Sequence, residues 1–216
     1  MPGIYIHIPY CKKACHYCDF HFSTDRRSRA GMLEALQAEI ALRKGYLGGA
    51  EVTSVYLGGG TPSLLGEEEL NALLDTVQKY HRLSHDCEIT MEANPDDLDS
   101  LKVAVLRQTP VNRLSIGVQS FFDEDLKWMN RAHDSRQAIG SIKRVQDAGY
   151  ENLTADLIYG YPLLTDQKWL GNIHTFFGLG IPHLSCYNLT AEPGTALSAF
   201  IAKGKTEAPG EEQGAA

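Results

Sequence analysis

Segments of strand character and segments of helix character alternate along nearly the whole chain, and few folds accommodate that alternation. Strand-like runs fall at residues 3–8 (GIYIHI), 52–57 (VTSVYL), 88–93 (EITMEA), 114–118, 153–158 and 184–189 (LSCYNL). Between them, apolar residues recur at helical spacing. Leu33, Leu36 and Ile40 precede Gly45, which reads as a helix end. Glu67, Glu68 and Glu69 suit the positive end of a helix dipole and lead into Leu70, Leu73, Leu74 and Val77. Leu98, Leu101 and Val105 mark a helix that stops before Pro110. Asp134 caps a helix carrying Ala138, Ile142 and Val145, closed by Gly149. Thr165 caps another, with Trp169, Ile173 and Phe177 as its buried face. Strand, helix, strand in this order predicts parallel strands with helical crossovers. Six such units fall short of a closed eight-fold barrel. The expected fold is α/β, a partial TIM-like (β/α)6 barrel over residues 1–200, with its site at the C-terminal ends of the strands.

Straight after the first strand, in a loop at 9–22, stand Cys11, Cys15 and Cys18 at C-x₃-C-x₂-C spacing. Thiolates are soft ligands, and this spacing lets three converge on one metal centre. A structural zinc site is closed by four ligands, and an electron-transfer 4Fe–4S cluster usually takes four cysteines. Three thiolates leave one iron open to chemistry. The alternatives are a zinc site completed by His16 or His21, or a redox-labile loop. Cys87 and Cys186 fall in strands and read as small buried hydrophobes.

Other polar residues cluster at the predicted strand ends. Gly58-Gly59-Gly60-Thr61-Pro62-Ser63 follows the second strand; it allows close backbone approach but lacks the Gly-Lys-Ser/Thr of a P-loop. Glu92, in TMEANP, is a carboxylate at the barrel mouth that needs donors, whereas Glu88 belongs at the opposite end. Gln119, in RLSIGVQSF, can donate and accept. Arg131, in NRAH, offers a fixed fork for a carboxylate or a surface ion pair with Asp134 or Glu124. Asp156, in TADLIYGYP, ends the fifth strand. Among the histidines, His7 is expected to face the barrel and His81 and His85 to lie in solvent at a helix end. None stands out as a metal or cofactor ligand.

In this order, YIHIPYCKKACHYCDF, GGGTPS, TMEANP, RLSIGVQSF, NRAH and DLIYGYP resemble the radical S-adenosylmethionine (SAM) superfamily. Within it they resemble the branch of oxygen-independent coproporphyrinogen III oxidases and HemW-type heme chaperones, from residue 3 to about residue 192. The resemblance implies a 4Fe–4S cluster on Cys11, Cys15 and Cys18. It implies SAM contacts at Tyr5, Tyr17, Gly59, Gly60, Thr61, Glu92, Gln119, Arg131, Asp156 and Thr190. Tyr10 and Tyr161 stand where Phe and Leu are expected. The oxidases are expected to carry a fourth Cys two residues beyond the third, and here that position is Phe20. By resemblance, the function is therefore heme delivery to acceptor hemoproteins, with heme as cargo, a flavodoxin or ferredoxin as reductant, and a homodimer among the assemblies open to it. The alternative is the oxidase of porphyrin biosynthesis, and a third is another radical SAM enzyme, such as one modifying RNA.

Composition narrows the partners. The 216 residues carry a net charge of −7, which argues against a nucleic-acid partner. Arg26, Arg27 and Arg29, the densest basic stretch, read as the solvated face of an opening helix. No apolar run approaches the ~20 residues of a membrane span. Strand-like sequence from residue 3, and five Cys with three of them clustered, predict a cytoplasmic protein without a leader or an N-terminal extension. Residues 201–216 form a polar tail, expected to be the start of a linker to a missing C-terminal domain.

Overall fold

The computed structural model describes residues 2–210 and 214. Six parallel strands form one sheet in sequence order: β1 (Gly3–Ile8), β2 (Val52–Gly59), β3 (Leu83–Ala93), β4 (Arg113–Gln119), β5 (Leu153–Tyr159) and β6 (His183–Asn188). Around them lie α1 (Arg29–Leu42), α2 (Glu67–Tyr80), α3 (Ser100–Leu106), α4 (Asp123–Trp128), α5 (Ser135–Asp147), α6 (Asp166–Gly178) and α7 (Ala196–Ala202). The sheet order leaves β1 and β6 as its two edges, so the barrel is partial, as its sequence predicts.

The two-residue period of a strand divides each one between two environments. On the convex face Ile6, Ile8, Val55, Leu57, Ile89, Met91, Leu114, Ile116, Ala155 and Leu157 are buried, and they pack with the apolar faces of the helices. The concave face carries Tyr5, Tyr56, Glu92, Ser115 and Asp156, a polar set tied together by hydrogen bonds. A closed eight-stranded barrel fills its interior with side chains; here the interior is polar and open on one side. At its floor Arg113 lies 3.8 Å from Glu88 and donates to Thr90 and Thr154, which places Glu88 at the end opposite Glu92.

Helix phase departs from expectation in two places. In α3 the buried residues are Val103 and Leu106, while Leu101 is 75% exposed. Leu98 is buried but belongs to the preceding turn, so it does not set the phase of this two-turn helix. In α6 the inward residues are Asn172 and Phe176, and Phe177 is exposed. The Asn172 amide oxygen accepts from the Phe121 N–H at 2.7 Å, and that buried polar contact fixes the rotation of the helix. Helix α1 ends at Leu42, before Gly45. Strand β3 begins at Leu83 and takes in His85. Arg29 is not a solvated face: its Nε lies 3.0 Å from Glu69 and its guanidinium donates to the Leu64 carbonyl, joining α1 to α2. Cys87 is buried as expected, but Cys186 is exposed on the edge strand β6. Asp134 and Thr165 do cap α5 and α6, accepting from Gln137 and Lys168.

Helices α4 and α7 carry no long periodic pattern to mark them. A second apolar cluster, Met129, Ile158, Tyr161, Leu164, Leu189 and Leu197, holds α7 against the end of the barrel. The Leu197 N–H donates to the His16 carbonyl at 2.7 Å, so α7 also braces the cysteine loop. Of the expected tail, Thr206 accepts from the Trp128 indole at 3.1 Å, and residues 211–213, 215 and 216 lie outside the described residues.

Asp125 is fully buried, and a buried carboxylate requires donors. It accepts from Ser120 at 2.8 Å, Tyr161 at 2.6 Å and the Lys168 ammonium at 2.9 Å. The hydroxyl that distinguishes Tyr161 from the expected Leu thus serves α4. Tyr161→Phe is expected to destabilise the protein by about 1–3 kcal/mol, read as a lower midpoint in urea; an unchanged midpoint contradicts this account.

Candidate cluster and cofactor site

The loop at 9–22 crosses the C-terminal mouth of the barrel and is fixed from several sides. Cys11 N–H donates to Ser23 O at 3.0 Å, and His16 N–H to Met129 O at 3.1 Å. The Asn130 amide donates to Ala14 O at 2.7 Å, and Lys12 pairs with Asp96 at 2.9 Å and with the buried Asp97. Beneath the loop is a cavity of about 360 Å³, within the range of small-molecule sites. Cys11, Cys15 and Cys18 line it, together with Tyr17, Gly59, Gly60, Thr61, Glu92, Gln119, Arg131, Asp156 and Thr190. Tyr5 does not line it. Lower on β1, its hydroxyl donates to His7 Nδ1 at 3.2 Å and its ring stacks on Tyr56 at 5.9 Å.

Each thiol carries a donor. The Thr61 hydroxyl donates to Cys11 Sγ at 3.4 Å, Arg131 to Cys15 Sγ at 3.3 Å, and the Phe20 backbone N–H to Cys18. Burial pushes the Cys11 thiol up and the Cys18 thiol up to about 11, so a metal must displace protons to be held here. Arg131 turns inward rather than pairing at the surface. It donates to Asn94 Oδ1 and Gly117 O at 2.7 Å each and to the Tyr17 hydroxyl at 3.4 Å, and its buried Nε has no protein partner. Glu124 pairs instead with Lys168 at 2.5 Å.

Two carboxylates face the cavity. Glu92 accepts from Tyr56 at 2.9 Å and from the Gly59 N–H at 3.0 Å; Asp156 accepts from Ser115 at 3.2 Å. Burial raises both above the ordinary carboxylate range, and these hydrogen bonds offset part of the rise. A ligand bearing hydroxyl or ammonium donors would complete their solvation. Gln119 reaches the cavity through a register break in β4 and a φ of 68°.

The glycine run is required by packing. Gly59 has φ 105°, and a Cβ there would clash with the His7 ring; at Gly60 it would meet Ile8 O at 2.7 Å. The Gly59 amide is spent on Glu92 and the Gly60 amide on Ile8 O. With its donors committed, the run suits an ammonium group, which needs acceptors, better than an anion.

Neither candidate for completing a zinc site lines the cavity. His16 Nδ1 donates to Trp128 O at 2.8 Å and its ring meets Phe200 edge-on, while the His21 carbonyl accepts from His7 and its ring lies against the His7 ring. Among the described residues no three His, Cys, Asp or Glu side chains gather on one metal ion. A cluster instead distributes its thiolates over separate irons, and three half-buried soft donors around one cavity fit that arrangement.

The family model of the Radical SAM superfamily matches residues 5–176. The chain belongs to the radical SAM superfamily. Membership implies a 4Fe–4S cluster and SAM. Among curated relatives, the heme chaperone HemW of Bacillus subtilis (strain 168) is 37% identical over 215 residues, covering 99% of this chain and 57% of that protein. The heme chaperone HemW of Escherichia coli (strain K12) is 38% identical over 195 residues, covering 89% of this chain and 52% of that protein. The solved structure of coproporphyrinogen III oxidase (HemN) from Escherichia coli, a radical SAM enzyme, matches with a TM-score of 0.85 at 29% identity, covering 99% of this chain and 50% of that chain. The chain thus spans about half the length of the relatives it matches.

Sequence reasoning passes over several polar residues that line this cavity, Asn94 and Ser115 among them. Asn94 and Ser115 both line the cavity and hydrogen-bond residues named above. The signal for Ser115 lies in the strand period, because it shares the inward face of β4 with Gly117 and Gln119.

His133 is buried behind Arg131, and its Nε2–H donates to Val118 O at 3.0 Å. Burial, with the Arg131 charge adding, pushes its pKa down to about 4. The unfolded chain, with His near 6.5, protonates first as the pH falls. The stability from neutral His133 is therefore complete at neutral pH and is lost between about 6.5 and about 4. In urea unfolding, the advantage of the wild type over His133→Gln is expected to shrink by about 2 kcal/mol from pH 7 to pH 5. An advantage that does not change with pH contradicts the assignment.

Proposed function

We propose that this protein is a heme chaperone built on a radical SAM core. The observation that carries the reading is Phe20. It is 66% exposed and lines the cavity mouth, at the position where the oxidase pattern expects a fourth cysteine. The identity of 37–38% to proteins named heme chaperone HemW supports it.

In this reading Cys11, Cys15 and Cys18 hold a 4Fe–4S cluster. Tyr17, Gly59, Gly60, Thr61, Glu92, Gln119, Arg131, Asp156 and Thr190, which line the cavity, would hold SAM, and Tyr5 would support the site from below. The bound cluster supplies one electron for reductive cleavage of SAM. Glu92 and Asp156 would accept from donors of that ligand, its hydroxyls and its ammonium group. Arg131 holds the loop's middle thiol and excludes water beneath it. Heme is the cargo and acceptor hemoproteins are the partners, with a flavodoxin or ferredoxin as reductant and a homodimer as the assembly. Residues 1–200 are the proposed core, in a protein working in the cytoplasm. No helix among the described residues is long and apolar enough to cross a membrane.

A second reading, oxygen-independent coproporphyrinogen III oxidase, draws support from the HemN match at TM-score 0.85. One experiment separates the two. The anaerobically reconstituted protein is given coproporphyrinogen III, SAM and a reductant, and protoporphyrinogen IX is sought by chromatography. A parallel sample is loaded with heme and mixed with an apo-hemoprotein. The expected result is no porphyrin product and transfer of the Soret band to the acceptor; catalytic turnover to protoporphyrinogen IX replaces the chaperone with the oxidase.

A further inference from the structure

Two of the three cluster thiols are joined by a hydrogen-bond relay whose central residue has no assigned role. Asn94 follows the last residue of β3. Its Oδ1 accepts from Arg131 at 2.7 Å, and its Nδ2 donates to Thr61 Oγ1 at 3.2 Å. That amide orientation is forced, because a guanidinium only donates and must face the oxygen. The amide nitrogen then faces Thr61, whose hydroxyl accepts there. Its single hydrogen is left for Cys11 Sγ, 3.4 Å away. At the other end of the relay, Arg131 donates to Cys15 Sγ at 3.3 Å.

The main chain of Asn94 is anchored as firmly. Its N–H donates to Ser63 Oγ at 3.3 Å, and the Ser63 hydroxyl donates to Asp97 at 2.7 Å. Asp97 pairs with Lys12, the residue after Cys11. The side chain that aims both donors is therefore held in register with the loop that carries the thiols. Asn94 itself makes no bond to sulfur.

We propose that Asn94 is a positioning residue that sets the reduction potential of the cluster, by holding the Thr61 hydroxyl on Cys11 and the Arg131 guanidinium on Cys15. This rests on the reading that Cys11, Cys15 and Cys18 bind a 4Fe–4S cluster. Reduction adds negative charge to the cluster and its thiolates. Donors to the sulfurs and a nearby cation favour the reduced form and raise the potential. Loosening either donor lowers it. A residue that only shaped the fold would change iron loading or stability and leave the potential of the loaded protein alone.

The test is a redox titration followed by electron paramagnetic resonance on the anaerobically reconstituted chain, with iron and sulfide counted in each sample. The samples are wild type, Thr61→Val, Asn94→Leu and the double variant. Thr61→Val is expected to shift the midpoint potential to a more negative value. Asn94→Leu is expected to shift it further, because both donors lose their guide. The double variant is expected to match Asn94→Leu alone, since the Thr61 contribution is contained in it. If Asn94→Leu does not load iron, Asn94→Ala takes its place, and Thr61→Ser, which keeps the hydroxyl, is expected to match wild type. A fully loaded Asn94 variant with the wild-type potential overturns the proposal, and so do shifts that simply add. A wild-type chain that assembles no cluster overturns the cluster reading beneath it, a separate and recognisable failure.

Discussion

The site depends on one buried cation. Arg131 comes from the segment between α4 and α5, yet its guanidinium lies among Cys15 and Tyr17 of the cysteine loop, Asn94 at the end of β3 and Gly117 on β4. A guanidinium out of water requires acceptors, and both terminal nitrogens of Arg131 find them here while Nε has no protein partner. Meeting that requirement pulls three separately encoded segments onto one point. The Asp125 network fixes α4 just upstream, so the arginine arrives on a stiff support. The thiols, in a loop without regular structure, are thereby held by partners from the barrel itself.

The barrel supplies the other half of the arrangement. Its convex face uses the helices for its core, which frees the concave face to be polar. Glu92, Ser115 and Asp156 can stand at the mouth because each sits on the inward phase of a strand whose outward neighbours are apolar, and Gln119 joins them through the register break in β4. Gly59 at the end of β2 and Gly60 after it allow the chain to lie on β1, against His7 and Ile8. The cavity is then bounded by loop above and strand ends below.

Much of this is legible in the sequence, for physical reasons. Strand-like runs mark all six strands, and the cysteine spacing locates the loop. Residues that end strands land together because a parallel barrel sends every strand end to one mouth. What stays hidden depends on tertiary contacts. Phe176 rather than Phe177 is buried because Asn172 bonds a distant backbone amide. Asn94 reads as an ordinary residue before a proline, since its partners are far away in sequence. Tyr5 looks like a mouth residue but lies too low on β1 to line the cavity. Cys186 is exposed because the outward face of β6 is not covered among the described residues.

The central claim is that three thiolates hold a cluster with one iron left open for SAM. The most direct measurement is the electron paramagnetic resonance spectrum of the reduced, anaerobically reconstituted protein before and after SAM is added. A 4Fe–4S signal that changes in shape and position on addition of SAM is the predicted result. A signal indifferent to saturating SAM, or a protein that takes up zinc and no iron, contradicts it.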